Sequence, residues 1–553
     1  MAQLSHLPNE LLLKIFENFP AKYSKRPDLY NLCLVDRRLN SLATPLLYHT
    51  IVVEFNKNDT FHPKVVRSLL GFGHSSLKYI REVSVREVVE RLEFFDSSLS
   101  EIWNDTRKTF IMGFLQKLGN DQLRALRLDR VVPNVLDHAN MPKQGCIREV
   151  DCQPPYDSEE DKVYPWPEFL SFPDQSLKSL CFRKLEAGSS ASLVRMLERQ
   201  CESLRELTLY CSKFLIYEEG ISWGFWPGMD IKRACDALFE SWPEVYQTPE
   251  NVKTRKGLEN LEILTLIEFP SNAYLDVVFP GAKDLIKVQK LKLESITGDG
   301  MIEILHSRFP NLCEVTITND VGDMGVLEEF LRNCSPLKSL VVAQGGVGRH
   351  PDADCIARHT GLRKLWLELS PGYISSFDQY LLTIHSAQSG AFCVPQLPSM
   401  RHLEELALAF NTTDLDFIYQ LPQLRTIRFL NFPSTNDADI LSNRLSFGRT
   451  GTSTISERKL VDGRFIVDTL LQSLPQDSSI HHHLSVIILG RHDETILSRE
   501  AEIYLVERNI SSSHNGNVSY TAYHSNIYDA RYHHPNLEFI EQDRLDSAPF
   551  AQF

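Results

Sequence analysis

Long apolar runs, paired cysteines and a positive charge balance are all missing from this chain of 553 residues, and each absence excludes a class of function. No stretch approaches the roughly 18 uninterrupted apolar residues that a membrane-spanning helix needs, so no membrane partner is expected. The net charge is −14, which leaves no broad basic surface for gripping nucleic-acid phosphates. The 11 cysteines are scattered, with no Cys-x-x-Cys pair. That pattern fits buried thiols in a reducing compartment better than disulfides or zinc ligands. Glu10, Lys14 and Glu17 interrupt the apolar positions near the start, so no secretory leader is expected. Cytoplasm or nucleus is the expected location.

Catalytic signatures are missing as well. "GGVGRHP" lacks the third glycine and the following helix of a phosphate loop, and "GTSTI" fails the nucleophile-elbow pattern at its last position. The histidine runs at His481–His483 and at His533 and His534 invite a metal reading. Adjacent histidines do not converge on one ion without special geometry, and no cysteine or acid stands at ligand spacing. The acidic run Ser158–Asp161 reads as a solvated surface. No cofactor, metal or enzymatic activity is expected.

What the chain does have begins with "LPNELLLKIFENFP". Pro8 suits the first turn of a helix, and Glu10 there is favoured by the helix dipole. Leu7, Leu11 and Ile15 form one stripe; Leu12, Phe16 and Phe19 form a second beside it. The face is wider than packing on one neighbour requires. A second run, with Leu32, Leu34, Val35, Leu39 and Leu42, suits one or two short helices before Pro45 interrupts and "LLYHTIVVEF" turns extended. About fifty residues in short helices bury only part of such a surface internally. The remainder is left for the rest of the chain or for a partner.

These residues, together with "LCLVDRRLNSLA", Pro45 and Tyr48, resemble an F-box, particularly its fungal form. The resemblance covers about residues 4–50. It departs at Asp36, where the family often has Cys or Ser, and at Leu39, where it often has Trp. It implies docking on a Skp-type linker protein and, through it, on a cullin–RING ubiquitin ligase. Carried over by position, the linker-binding residues are Leu7, Pro8, Leu11, Leu12, Ile15, Leu34 and Val35.

Further along, the pattern apolar-x-x-apolar-x-apolar recurs, from "IREVSV" at Ile80 through "LRALRL" at Leu123 to "LSVIIL" at Leu484. With 42% apolar residues, three such positions coincide by chance in about 7% of windows, so the pattern alone decides little. The spacing decides more. Val288, Leu312, Leu337 and Leu362 stand 24, 25 and 25 residues apart, within the period of leucine-rich repeats. Helix patterns lie between, such as "GVLEEFLRNCSPL" with Leu327, Phe330 and Leu331 on one face. The expected fold is α/β: a short all-α F-box over 1–50, then an irregular leucine-rich-repeat solenoid over 51–490, a horseshoe of parallel strands and helices. Insertions are expected near 211–257, 370–400 and 431–483, the last with a polar mobile loop. A C-terminal hairpin around "SSSHNG", serving as a cap, and a disordered tail occupy 491–553. The Asn or Cys ladder of regular repeats is missing at Ser212, Phe269 and Ile296, so the carbonyls it would cap need other partners.

In each strand the residues alternating with the apolar ones point outward. Tyr210, Lys290, Lys292 and Trp366 stand at such positions and are the candidate substrate-binding residues, with Val341, Glu405 and Ala407 in the same row. Trp223, Phe225 and Trp226 offer a second aromatic group, as a recognition loop or as a plug between repeats. The expected function is a substrate adaptor of an SCF-type ubiquitin ligase, holding an unknown protein target on its repeats. The alternative is an F-box scaffold acting without ubiquitin transfer.

Overall fold

A computed structural model describes residues 7–17, 25–56, 75–88, 113–128, 146–152, 176–182, 197, 199–210, 258–267, 285–294, 309–318, 324–345, 351–370, 399–408, 415–430, 463–474, 482–490, 502–510, 518–526, 529–530, 533–534, 536–537 and 539. The chain divides into two compact units, Met1–Ile263 with Ala273–Leu285, and Leu264–Asn272 with Ile286–Phe553. Both are mixed α/β, with long open sheets and few helices.

The first unit opens with α1 (Asn9–Glu17), α2 (Lys25–Val35) and α3 (Arg37–Leu47). Leu12, Phe16, Leu29, Leu39 and Ala43 form their shared core. Pro45 does not interrupt α3 as expected from sequence; the helix runs on to Leu47, with Tyr48 as its C-cap. Pro45 stands in the last turn, so the one bond it removes is that to the Ser41 carbonyl, and the helix ends two residues later. Parallel strands follow in chain order: β1 (Thr50–Asn56), β2 (Glu82–Val88), β3 (Ala125–Leu128), β4 (Glu149–Cys152), β5 (Ser179–Phe182) and β6 (Glu206–Tyr210). Strand β7 (Ile263–Ile267) falls at the division between the units.

The second unit continues with β8 (Lys290–Glu294), β9 (Glu314–Thr318), α4 (Met324–Asn333), β10 (Ser339–Gly345), α5 (Ala353–Ala357) and β11 (Lys364–Ser370). Then come β12 (Glu405–Leu408), β13 (Thr426–Phe429), α6 (Gly463–Ser473) and β14 (Val486–Leu489). Strands β8 to β14 are parallel in chain order. The chain then reverses: β15 (Glu502–Ile510) and β16 (Val518–Ser525) pair antiparallel, as the hairpin read from the sequence, and β15 pairs antiparallel with β14.

The thirteen leading apolar residues of the pattern, Ile80 through Leu484, are all at most 4% exposed. Chance matches would not fall on one side of every strand, so the period in the sequence reports a real inward face. In α4, Leu327, Phe330 and Leu331 are fully buried on the expected stripe. Helix α6 is a departure, since it lies inside the stretch read as an insertion at 431–483. Ile466, Val467, Leu470 and Leu471 give it a helical apolar face that the polar residues upstream obscured. That polar piece, the Trp223–Trp226 loop and the last residues lie outside the described set.

Within each unit, successive parallel strands are stitched together just before they begin. The Arg124 carbonyl accepts from both Arg148 and Glu149, and the Arg148 carbonyl from both Lys178 and Ser179. The same fork recurs in the second unit, where Lys338 accepts from Arg363 and Lys364. Side chains add rungs at the same level. In the first unit, Gln200 Oε1 accepts from the amides of Ser176 and Leu177, each at 2.9 Å, and Asn260 Nδ2 donates to the Glu202 carbonyl at 2.7 Å. In the second unit, Asn311 Nδ2 donates to the Ile286 carbonyl at 2.8 Å, and His359 Nδ1 accepts from Leu337 at 3.1 Å. Each rung is worth about 0.5–1.5 kcal/mol net, and more if losing it orphans a buried group. These rungs serve the turns that precede the strands. The sequence carried a signal for some of them: Gln122, whose Nε2 donates to the Ile80 carbonyl at 3.0 Å, Asn260 and Asn311 each stand immediately before a leading apolar residue. The positions after the strands, Ser212, Phe269 and Ile296, lie outside the described residues.

Candidate functional site

The helical unit has a sealed side and an open side. Pro8 stands just before helix α1, and its carbonyl accepts from the amides of Leu11 and Leu12 at 3.2 and 3.1 Å. Arg38 of α3 holds this start in place: its Nε donates to Asn9 Oδ1 at 2.8 Å and its Nη2 to the Leu7 carbonyl. Leu12 and Phe16 are thereby turned into the core, while Leu11 and Ile15, on the adjoining stripe, remain 47% and 39% exposed. On α2, Leu34 and Val35 are 68% and 67% exposed, and Tyr30 is 56% exposed. Leu7 is half-buried and Pro8 exposed. Leu12, one of the seven candidate linker contacts, belongs to the internal core; the other six retain some exposure. Tyr30 was not anticipated, although it stands four residues before Leu34 and so shares its stripe.

The two departures from the F-box pattern have structural roles. The Asp36 carboxylate accepts from the Leu39 amide at 2.8 Å as the N-cap of α3. Leu39 is buried in the three-helix core.

Of the four candidate substrate contacts, Tyr210 belongs to the first unit, and Lys290, Lys292 and Trp366 belong to β8 and β11 of the second. Tyr210 is half-buried at the end of β6. In β8, Lys290 is exposed and paired with Glu314 at 2.8 Å, whereas half-buried Lys292 pairs with Glu294 at 3.1 Å. Trp366 departs from the expected exposed anchor: it is 3% exposed. Its indole donates to Glu368 at 2.9 Å, Phe539 meets it edge-on at 5.1 Å, and the Arg428 guanidinium lies 4.9 Å over its ring. The aromatic part of that cover, Phe539, comes from near the C-terminus, more than 160 positions away in sequence.

Titratable groups elsewhere are shaped by burial. Burial pushes the thiols of Cys334 and Cys355 up to about 11 and about 12, so neither supplies a thiolate near neutral pH. Burial, reinforced by the charge of Arg358, holds His359 down at about 4. His482 is also lowered, chiefly by burial; its Nε2 meets the Ile418 carbonyl at 3.0 Å and its Nδ1 accepts from Leu484 at 3.3 Å. It therefore acts as a rung of the second unit. Among the described residues no group of three or more His, Cys, Asp or Glu could hold a metal, and no helix is long and apolar enough to cross a membrane.

A protein-family model described as F-box-like matches residues 4–54. The chain is also 35% identical over 98 residues to the F-box protein DAS1 of Saccharomyces cerevisiae, covering 16% of this chain. The match spans about 14% of the length of that relative. The helices with their exposed Leu11, Ile15, Leu34 and Val35 thus lie in an F-box-like domain at residues 4–54.

Proposed function

We propose that this chain is the substrate-recognition adaptor of an SCF-type ubiquitin ligase, docking a Skp-type linker with its N-terminal helices and holding a target protein on its sheet. One observation carries the reading: five large apolar side chains, Leu11, Ile15, Tyr30, Leu34 and Val35, stay exposed on helices whose own core is already complete. A partner that covered them would gain about 1.5–3 kcal/mol for each side chain fully buried. Leu7, Pro8 and Leu12 support that face from beneath and beside it. The remainder is read as a divergent leucine-rich-repeat solenoid over 51–490, with a C-terminal cap over 491–553. The parallel strands in chain order, with every leading residue inward, support this. Tyr210, Lys290 and Lys292 belong to the target-facing rows. The chain itself performs no chemistry; it raises the effective concentration of a bound target near the ubiquitin carrier, in cytoplasm or nucleus.

The test is a capture assay with the full chain. Leu11→Asp with Leu34→Asp places charges at two exposed positions, so the fold is retained. Capture of a purified Skp-type linker is expected to weaken by about 100-fold or more. Undiminished capture would remove the docking assignment. Recovery of cullin with the linker supports ubiquitin transfer; linker without cullin points to the scaffold alternative.

A further inference from the structure

The polypeptide beyond β16 turns back over the outward face of the second unit's sheet. Asn526 caps the turn, its Oδ1 accepting from Asp529 at 2.9 Å and its carbonyl from Ala530 at 3.1 Å. Ala530 and Leu537 then sink into an apolar cluster with Val486, Ile488, Ile503 and Leu505. Two residues on, Phe539 is fully buried among Val341, Ala343, Trp366, Ala407 and Leu430.

The two anchors differ in chemistry. Ala530 and Leu537 sit in a purely apolar cluster. Phe539 is held by its backbone as well as by its ring. Its amide donates to Glu405 Oε2 at 2.8 Å, and its carbonyl accepts from Arg428 Nη1 at 3.3 Å. Glu405 and Arg428 are each 1% exposed. Arg428 is fixed in turn by its Nε bond to the Gly490 carbonyl at 3.1 Å and by its stack over Trp366; Glu405 lies 3.6 Å from Lys364. A carboxyl and a guanidinium buried on one sheet face are a poor means of sealing a core, because apolar residues of equal volume do so at lower desolvation cost. They are a good means of reading a peptide, with one partner for an N–H, one for a C=O and an indole edge for an aromatic ring.

We propose that Val341, Trp366, Glu405, Ala407 and Arg428 form a binding site for a peptide segment that presents an aromatic residue from a tight turn, and that Phe539, itself in such a turn, fills it in cis until a partner's segment displaces it. Leu537 stays anchored while the residue beyond it exchanges. Under the adaptor reading this site would serve target recognition; the test below reads peptide binding alone and is independent of linker capture. The tethered Phe539 competes at an effective concentration in the millimolar range, so the resting chain binds an outside peptide weakly.

The experiment uses the full chain carrying Phe539→Ala and a fluorescein-labelled peptide of residues 536–544, followed by anisotropy. Saturable binding is expected, about tenfold or more tighter than to the unaltered chain. Binding should be lost when the peptide's phenylalanine is replaced by alanine, and also when its amide is N-methylated, which removes the donor to Glu405. A folded Phe539→Ala chain that fails to bind, or binds all three peptides alike, would overturn the proposal and leave Phe539 a structural seal. Should that variant not fold, amide exchange on the unaltered chain decides. Phe539 is expected to exchange about 100-fold faster than Ile427 of β13, and exchange at a common rate would overturn the proposal.

Discussion

The outward face of β3–β6 and that of β10–β13 are built on the same strand pattern and end in opposite states. In the first unit Arg127 and Glu206 are exposed, while Cys181, Thr208 and Tyr210 are half-buried; Ala125 and Asp151 are the buried exceptions. In the second unit Val341, Trp366, Ala407 and Arg428 are all buried. The inward residues barely differ between the two. A repeat therefore fixes which side of a strand faces the core, while the state of the other side is set by whatever segment returns to it. In the second unit that segment is the C-terminal one. Its contacts from Phe539 to Arg428 and Glu405 span 111 and 134 residues.

The largest expected effect tests this contrast directly. Trp366→Ala should cost about 3–5 kcal/mol, because it empties a space closed by Phe539, Arg428 and Leu430. Glu206→Ala, at an exposed outward position of β6, should stay within about 0.5 kcal/mol. Amide exchange measured separately in β11 and β6 reads the two units independently. Equal costs would mean that the two faces are not differently covered.

The rungs differ between the units in a way that pH exposes. Leu177 of the first unit leans on Gln200, which does not titrate, and Leu337 of the second leans on His359. Burial holds the folded imidazole at about 4, against about 6.5 in an unfolded chain. Above pH 6.5 both states are neutral and the rung contributes in full. Between 6.5 and 4 only the unfolded chain takes up the proton, so stability falls as pH drops, by up to about 3 kcal/mol. His359→Gln should keep the bond to Leu337 and flatten that part of the profile for β10 and β11. An unchanged profile in urea melts from pH 7 to 4.5 would show that His359 is not the group responsible.

Legibility followed the same division. The strands, the α4 stripe and the terminal hairpin were readable because period and turn chemistry are local. So was the wide apolar face of α1, although the sequence does not separate the sealed Leu12 from the exposed Leu11. Only packing against Leu29 and Leu39 of the neighbouring helices does that. Trp366 was misjudged because its cover is Phe539, a residue that no local pattern connects with it. Asp36 looked like a departure from a motif and proved to be a helix cap, a role that any short acceptor side chain in that place performs.

The smallest effects concern charge, and they sharpen the contrast most. Arg127 and Glu149 approach to 3.4 Å on the open face with side chains about half exposed, whereas Glu405 lies beneath the covered one. Glu405→Gln keeps the shape but weakens the acceptor for the Phe539 amide, for an expected loss of about 1–2 kcal/mol that salt leaves nearly unchanged. Glu149→Gln should cost no more than about 0.5 kcal/mol, and that small cost should vanish by about 1 M salt, where screening acts within about 3 Å. Stability measured for both variants at low and high salt separates the cases by salt response even where the energies overlap. If the Glu405 loss also disappeared in salt, solvent would be reaching that carboxylate, and the face under Phe539 would be open in solution for much of the time.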